Sequence, residues 1–338
     1  MMESSGKFGD LVALSSGDLV AFSEVEAAAE RIRGVVLRTP LLPFPELSRE
    51  LGGEIRLKCE SLQRSGSFKV RGAFNFLDHL SREELERGVI TYSSGNHAQA
   101  MALAARLKGV RAVVVMPTTA TGVKVEGARE LGAEVHFEGT LSLERQARAE
   151  AIAAKDGFTM VPPFDHPWII AGQGTVGLEI AQDWPRVDTV LAPIGGGGLS
   201  SGIAVALKAL LPGVRFVGVE PLGAASMGAA LAAGEPVTLD VADTLADGLR
   251  TNRAGDHTFR HARALFDDVV QVEDEAIMEA TSLLFHRRKL VVEPSGAATL
   301  GAVLSGAVPV QGQNVAVVLS GGNLDPSMVA SLASETRS

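Results

Sequence analysis

The stretch 189-TVLAPIGGGGLSSG-202 determines the fold of this chain more than any other. Its first six residues form a mostly apolar run, which is typical of a strand buried on both faces of a parallel sheet. Four glycines follow at 195–198, and a helix that extends to Leu210 begins there. Because glycine has no Cβ and a helix begins with unpaired N–H groups, this junction predicts a phosphate-binding turn.

The same junction has an alternative interpretation as a dinucleotide-binding fingerprint. Gly195 and Gly197 match its first two glycines, but Ser200 stands where the third glycine belongs. Glu220, at the end of the next predicted strand, has about the spacing of the acidic residue that holds a ribose. A nicotinamide-dependent (NAD(P)) dehydrogenase therefore stays open as a function of a different class.

Strands and helices alternate on both sides of this stretch, which predicts an α/β protein with parallel sheets. One series of strands is predicted at 89–92, 112–116, 134–137 and 158–161, and the other strands at 54–60, 189–194, 214–219 and 314–319. We therefore expect a small α/β domain at residues 87–163 and a large domain that combines residues 1–86 and 164–338. Capping boxes predict helix starts at Ser23, with Glu26, and at Ser81, with Glu84.

Composition excludes several classes of protein. The 338 residues are 46% hydrophobic and 21% charged, so the chain is long enough for two ordered domains and unlike a disordered one. The net charge of −9, without a basic cluster, argues against a nucleic-acid partner. A single cysteine, Cys59, excludes an internal disulfide. The absence of a signal pattern and of an apolar run of about 18 residues predicts a cytoplasmic protein without a membrane span.

A candidate catalytic lysine lies in 65-SGSFKVRGA-73. A lysine at a loop-to-helix junction is usually a solvated charge. Here the small serine and glycine neighbours of Lys69 leave room beside the amine, and the Phe68 ring can exclude water from it. A desolvated lysine has a lowered pKa and forms Schiff bases with carbonyl groups.

Three further glycine-containing loops are candidate ligand sites. In 93-SSGNHAQA-100, a turn and a helix start can bind a carboxylate, although ordinary helix capping explains the same residues. In 320-SGGN-323, Ser320 follows a strand and can face the same crevice, or merely cap a turn. In 243-DTLADGLR-250, Gly248 allows close approach to a flat ring, or simply makes a turn. No zinc pattern, nucleophile elbow or Walker lysine is present.

Together these motifs resemble the serine racemase and threonine/serine dehydratase family of pyridoxal-phosphate enzymes, which has the tryptophan-synthase-like fold of type II. The resemblance covers roughly residues 20–327 and rests on SFKVRGA, SSGNHAQA, IGGGGLSSG, TLADGL, VEPSGAA and LSGGNLD, in the family order. It implies a cofactor, pyridoxal 5'-phosphate, a small domain that moves on substrate binding, and a homodimer.

The resemblance also implies a role for each residue that matches a family motif. Lys69 binds the cofactor as a Schiff base and removes the α-proton of the substrate, and Ser320 faces the pyridine nitrogen. The other cofactor contacts are Phe68, Asn96, Gly195, Gly196, Gly197, Gly198, Gly248 and Glu293. The substrate carboxylate is bound by Ser93, Ser94, Gly95, Asn96 and His97, with Arg145 as a further, more weakly aligned contact.

A serine opposite the pyridine nitrogen does not hold a proton there as an aspartate does, which favours β-elimination. The implied activity is the conversion of L-threonine to 2-oxobutyrate, or of L-serine to pyruvate, with release of ammonia. A related substrate such as 3-hydroxyaspartate stays open. So does serine racemisation, because Ser94 matches the racemase pattern and can return a proton from the face opposite Lys69.

One departure from the family concerns metal binding. Members that bind a divalent cation have one acid at the position of Glu220 and a second acid six residues later, where this chain has Ser226. One carboxylate and one hydroxyl make a poor site for a hard cation. Glu220 is therefore the one candidate metal ligand; we expect no tight divalent site, and a monovalent cation stays open.

Overall fold

The computed structural model describes residues 19–93, 95–120, 122–140 and 142–334. Within these ranges the strands are β1 (Leu41–Pro43), β2 (Glu54–Cys59), β3 (Val89–Tyr92), β4 (Ala112–Met116), β5 (Glu134–Phe137), β6 (Thr159–Met160), β7 (Thr189–Pro193), β8 (Arg215–Pro221), β9 (Asp268–Val272) and β10 (Asn314–Leu319). The α-helices are α1 (Phe22–Arg31), α2 (Pro45–Leu51), α3 (Lys69–Asp78), α4 (Arg82–Arg87), α5 (Asn96–Lys108), α6 (Gly122–Glu130), α7 (Ser142–Asp156), α8 (Pro167–Asp183), α9 (Gly198–Leu210), α10 (Ser226–Ala233), α11 (Asp256–Leu265), α12 (Asp274–Leu283), α13 (Pro294–Leu304) and α14 (Pro326–Ser334).

The larger sheet has six strands in the order β1-β2-β10-β7-β8-β9. The pair β1 and β2 is antiparallel, and all other neighbours are parallel. At its centre, Val317 of β10 pairs with Leu57 of β2 on one side and Leu191 of β7 on the other. All five residues of β7 are buried, as predicted for a strand covered on both faces. The edge strands β1 and β9 were not predicted.

The smaller sheet has four parallel strands in the order β5-β4-β3-β6, all within residues 87–163. Its core extends beyond that segment, however. Val70, Phe74 and Leu77 of α3 pack in one buried cluster with Val89 of β3 and Val114 of β4. Since α3 begins at the candidate catalytic lysine, that residue is anchored to the core of the smaller sheet.

The junction of β7 and α9 follows the sequence prediction closely. Gly197 has a φ of +94°, a conformation that favours glycine, and it is the residue before the first turn of α9. Behind the turn, α9 packs directly on α8. A Cβ at Gly202 would lie 2.3 Å from the carbonyl oxygen of Ile170, so only glycine permits this approach of the two helices.

The two predicted helix caps have different outcomes. Ser81 accepts a hydrogen bond from the backbone N–H of Glu84, whose carboxylate accepts one from the backbone N–H of Ser81, so this capping box is confirmed. The box at Ser23 is wrong: α1 begins one residue earlier, at Phe22, after Ala21. None of the helices in the described ranges is long and apolar enough to cross a bilayer.

Candidate functional site

A cavity lies at the carboxyl ends of β7 and β10, where α3, α5, α9 and α13 begin. It contains every described residue that the sequence analysis assigned to the cofactor and the substrate. These are Phe68, Lys69, Ser93, Gly95, Asn96, His97, Arg145, Gly195, Gly196, Gly197, Gly198, Gly248, Glu293 and Ser320. Ser94 lies outside the described residues. Parallel strands direct their carboxyl ends to one edge of a sheet, which explains why loops far apart in sequence meet here.

Lys69 is the first residue of α3, and its side chain enters the cavity. Its Nζ atom donates a hydrogen bond to the carbonyl oxygen of Pro163 at 2.8 Å, and lies 5.1 Å from the centre of the Phe68 ring. The loss of water around the ammonium form lowers the pKa of Lys69 to about 8. A substantial fraction of this amine is therefore neutral, and nucleophilic, near physiological pH.

The opposite face of α3 is fixed by buried ion pairs. The Arg71 guanidinium binds both carboxylate oxygens of Glu60 at 2.8 Å and Glu179 of α8 at 2.7 Å. Glu179 also accepts a hydrogen bond from the Lys58 amine at 2.5 Å. These two cations and two anions balance, and they hold the first turn of α3 between β2 and α8. Lys69, two residues before Arg71, is thereby directed into the cavity.

The glycine turn presents backbone rather than side chains to the cavity. A Cβ at Gly196 would lie 2.3 Å from the Phe164 ring, and one at Gly198 would lie 2.9 Å from the Phe164 carbonyl oxygen. The Thr258 hydroxyl donates to the carbonyl oxygen of Gly196 at 2.7 Å and holds the turn from behind. The N-terminus of α9 directs its dipole at the same place. This arrangement fits a phosphate group.

Ser320 lies on the far side of the cavity, and the backbone connects it to Lys69. The N–H of Phe68 donates to the carbonyl oxygen of Ser320 at 3.1 Å, which sets the two loops side by side. The Ser320 hydroxyl lies 3.4 Å from the Ser295 carbonyl oxygen, which is a long and weak hydrogen bond. The hydroxyl can therefore exchange this partner for a ring nitrogen in the cavity. The Ser295 hydroxyl accepts from the N–H of Gly248 at 2.8 Å and fixes the loop that would lie along a flat ring.

The partly buried Asn96 and the buried Glu293 form a polar pair between the two sheets. The Asn96 amide donates to the Glu293 carboxylate and accepts from the Asn323 amide at 2.8 Å, which leaves one Asn96 N–H for a ligand. Burial, together with the nearby carboxylate of Asp247, raises the pKa of Glu293 to about 7. Near neutral pH the Glu293 carboxyl is thus present in both its protonated and its ionised form, beside the place where a cofactor ring would lie.

The predicted carboxylate loop leads into the N-terminus of α5. The Ser93 hydroxyl accepts from the N–H of Gly95 at 3.2 Å, so Ser93 serves the turn itself. His97 is buried, its pKa is lowered to about 3 by burial and by Lys69, and it stays neutral. Arg145 of α7 donates to the Thr140 carbonyl oxygen at 2.9 Å, while its buried Nε has no hydrogen-bond partner among the described residues. The Arg145 guanidinium therefore offers one positive charge to a substrate carboxylate beside this loop.

The structure adds cavity residues that the sequence analysis missed. Lys124 of α6 pairs with Asp247, so an ion pair spans the cavity between the smaller sheet and the 247–249 turn. Pro163 and Phe164 also line the cavity. The double proline at 162–163 between a strand and a helix was the only local signal in the sequence for that segment. The partner of Lys124 is 123 positions away and left no local signal at all.

Glu220 does not line the cavity. It is buried behind it, and its two carboxylate oxygens accept the N–H groups of Met227 at 2.7 Å and Gly228 at 2.8 Å. Within the described ranges, no group of three His, Cys, Asp or Glu residues could hold a metal ion. Both carboxylate oxygens of Glu220 already accept backbone N–H groups, so this residue has no free oxygen placed for a ribose. The expectation that Glu220 forms no tight divalent site stays a prediction.

Comparison with known proteins places these features in context. The family model described as "Pyridoxal-phosphate dependent enzyme" matches residues 32–321. The L-threonine ammonia-lyase of Thermotoga maritima is 43% identical over 311 residues, which cover 92% of this chain and 77% of that protein. The L-threo-3-hydroxyaspartate ammonia-lyase of a Pseudomonas species is 40% identical over 314 residues, which cover 93% of this chain and 98% of that protein. The structure of maize serine racemase matches with a TM-score of 0.89 at 37% identity, covering 92% and 96% of the two chains. The α/β fold predicted from the sequence is therefore confirmed.

Proposed function

Because the chain belongs to the family of pyridoxal-phosphate-dependent enzymes, we propose that it is an ammonia-lyase acting on L-threonine or L-serine. The products are 2-oxobutyrate or pyruvate, together with ammonia. One observation carries this proposal: a lysine amine with a pKa lowered to about 8 shares a cavity with a serine hydroxyl and a glycine turn at a helix N-terminus.

The residues of the cavity fit the cofactor. Lys69 would bind it covalently, the turn Gly195–Gly198 would hold its phosphate, and Ser320 would face its ring nitrogen. Asn96 would donate its remaining N–H to the ring hydroxyl, while Phe68, Gly248 and Glu293 surround the ring. When bound, pyridoxal phosphate supplies an electron sink that makes the α-proton of an amino acid acidic.

The chain's own groups then perform the proton transfer. The Lys69 amine, neutral above its pKa of about 8, takes the α-proton. The N–H groups at the start of α5, with Ser93, Ser94, Gly95, Asn96 and His97, would bind the substrate carboxylate, and Arg145 would add a positive charge beside it. A carboxylate at a helix N-terminus is also stabilised by the helix dipole.

The Ser320 hydroxyl favours elimination over other outcomes. A hydroxyl carries no negative charge and does not stabilise a proton on a pyridine nitrogen as a carboxylate would. Negative charge that develops at the α-carbon is therefore relieved by departure of the β-hydroxyl group, which takes up a proton and leaves as water, so that one α-proton and one hydroxyl are lost together. A serine rather than an acidic residue at position 320 therefore favours elimination from a 3-hydroxy amino acid.

Two related activities are supported by separate observations. Likeness to maize serine racemase, together with a serine at position 94, supports racemisation as a second activity. Likeness to a 3-hydroxyaspartate ammonia-lyase, together with the Arg145 guanidinium in the cavity, supports a dicarboxylic substrate. Both would use the same lysine and the same carboxylate loop.

The experiment that tests the proposal is a product analysis of the purified holoenzyme. L-serine, L-threonine and 3-hydroxyaspartate are supplied in turn, and 2-oxo acid and D-enantiomer are measured together. We expect 2-oxo acid to dominate, Lys69→Ala to abolish it, and Lys155→Ala, which changes an exposed lysine, to leave it unchanged. Dominant D-serine would replace the proposal with a racemase, and activity of Lys69→Ala would contradict it.

We also propose that the protein is a cytoplasmic homodimer in which residues 87–163 form a small mobile domain. The parallel sheet confined to that segment and the ion pair of Lys124 with Asp247 support a unit that closes over the cavity. Sedimentation of the purified protein tests the dimer. Scattering curves with and without substrate test the motion.

A further inference from the structure

Residues 161–166, VPPFDH, connect β6 to α8 and touch several parts of the cavity; we call this segment the strap. It begins on the smaller sheet, where the Val161 N–H donates to the Ile90 carbonyl oxygen at 2.8 Å. The Thr91 hydroxyl donates to the Val161 carbonyl oxygen at 2.7 Å. At its other end, the His166 side chain accepts from the N–H of Trp168 at the start of α8.

The middle of the strap holds the catalytic lysine. The Pro163 carbonyl oxygen accepts the hydrogen bond from Lys69 Nζ at 2.8 Å. An amine that donates one N–H to a fixed carbonyl has its remaining positions, including the lone pair, fixed in direction. Placement of this carbonyl therefore decides where the free amine of Lys69 points.

The next residue of the strap covers the glycine turn. The Phe164 ring packs so closely on Gly196 that a Cβ at this glycine would lie 2.3 Å from the ring. The backbone of Phe164 packs on Gly198 in the same way. The strap thus contacts the lysine through Pro163 and the phosphate-binding turn through Phe164. One movement of the strap would disturb both.

Asp165 anchors the strap to α11. Its Oδ1 accepts the N–H groups of His257 at 2.9 Å and Thr258 at 3.1 Å, and its Oδ2 accepts that of Asp256 at 2.9 Å. Three N–H bonds to one carboxylate at a helix N-terminus are strong, because the acceptor is charged and faces the helix dipole. Thr258 binds Gly196 in turn, so α11 supports the strap and the glycine turn together.

We propose that Asp165 is a positioning residue, which fixes the Pro163 carbonyl on the Lys69 amine and the Phe164 ring on the glycine turn by anchoring the strap to α11. This inference rests on the proposed function, in which Lys69 takes the α-proton. Asp165 itself touches neither the lysine nor the turn. It acts through the two residues that precede it.

The strap also keeps water from the lysine. The charged or titratable groups that line the cavity with Lys69 are Tyr92, His97, Lys124, Arg145, Asp247, Arg250 and Glu293. His97 stays neutral, and Lys124 and Asp247 neutralise each other, so desolvation is the main cause of the lowered pKa of Lys69. If the strap loosens, water reaches the amine and its pKa moves towards the ordinary value of about 10.4.

The test compares the holoenzymes of Asp165→Ala and Asp165→Asn with that of Asp256→Asn. Asp256 lies beside the anchor, and its exposed carboxylate pairs only with the exposed Arg253 among the described ion pairs. For Asp165→Ala we expect kcat at pH 7 to fall about tenfold, while KM changes less than about twofold. The acid limb of kcat should move up by about one pH unit. Asp165→Ala should also release the cofactor several times faster than the wild type. Release is measured from the absorbance of the product that the freed cofactor forms with a hydrazine.

The isosteric Asp165→Asn keeps one acceptor oxygen and should show intermediate values, and Asp256→Asn should match the wild type. Loss of thermal stability in both Asp165 variants, with an unchanged acid limb and unchanged cofactor release, would overturn the proposal and leave Asp165 as a helix cap. Cofactor release needs no substrate. The positioning role is therefore tested even if the wild type forms no 2-oxo acid, which would contradict only the proposed function.

Discussion

Lys69 differs from an ordinary surface lysine because apolar groups and one carbonyl have replaced the water around its amine. Its pKa is lowered to about 8 for that reason, with desolvation as the cause. The Phe68 ring and the strap supply the apolar surroundings, and the Pro163 carbonyl supplies the hydrogen bond. A base for an α-proton needs such a shift, because a lysine at its ordinary pKa of about 10.4 is almost fully protonated at pH 7.

We predict that kcat for the elimination rises with pH and becomes constant above about 8. Below the pKa of Lys69 the amine is protonated and cannot accept the α-proton, so each lower pH unit should cost about tenfold. A pH profile of kcat at saturating substrate measures this directly. A profile that is flat between pH 6 and about 9 would contradict a lysine base with this pKa.

Arg71 shows a different use of charge, two residues further along α3. Its guanidinium is fully buried, and Glu60 and Glu179 raise its pKa above the ordinary value, so it stays charged. Such a pair is not an efficient source of stability, because desolvation offsets much of the attraction. The bidentate geometry instead fixes the rotation of α3 and, with it, the direction of Lys69.

At the scale of elements, close packing of α8 on α9 places the glycine turn. Helix α8 contributes Gly174 and Gly177 to this contact, and α9 contributes Gly202. A Cβ at Gly202 would meet Ile170 oxygen at 2.3 Å and Gly174 nitrogen at 2.5 Å, both on the backbone. Because backbone cannot rotate away as a side chain can, any larger residue must push the helices apart.

Gly202→Ala is therefore predicted to reduce the free energy of unfolding by about 2 kcal/mol, the range typical of overpacked cores. Urea denaturation measures the change. Gly213→Ala is the matched control, since nothing lies within 4 Å of a Cβ at that position. The control should stay within about 0.5 kcal/mol of the wild type. Equal stability of the two variants would show that α8 and α9 separate without strain.

At the scale of the whole molecule, two sheets share one cavity, and few polar contacts cross it. Asn96 of α5 reaches Glu293 and Asn323, and Lys124 of α6 reaches Asp247. The Lys124 side chain is 15% exposed and that of Asp247 is 42% exposed, so the ion pair is only partly shielded from solvent. A pair of this kind contributes about 1 kcal/mol or less, an amount suited to a contact that breaks and re-forms.

We predict that Asp247→Asn raises KM about two- to fivefold, since about 1 kcal/mol of closed-state stabilisation is lost. Steady-state kinetics with the better substrate measure the change. Added salt should raise KM of the wild type but not of the variant, because salt screens the ion pair. Asp240→Asn, an exposed carboxylate of the same connecting region, serves as the control. A KM unaffected by Asp247→Asn would mean that the pair plays no part in closure.

Much of this architecture was already present in the sequence. Strands β3, β4 and β10 have the predicted bounds, because apolar runs between glycines and polar turns specify a buried strand locally. Strand β5 also has the predicted bounds, although its residues are exposed or only partly buried. The Ser81 capping box was predictable for the same reason, since its partners are three residues apart. Edge strands β1 and β9 were missed because they are short and only partly buried, so their residues carry no clear alternation.

The cavity residues on loops that follow the parallel strands were also predictable, because such loops converge at one edge of a sheet. What only the tertiary structure decided is how these residues are held. The hydrogen bond from Lys69 to the Pro163 carbonyl joins positions 94 residues apart, and the partner of Lys124 is 123 positions away. Glu220 binds the N–H groups of Met227 and Gly228. Local patterns depend on hydrogen bonds and apolar spacing within a few residues. Long-range partners depend on how whole helices and sheets pack, which no short segment encodes by itself.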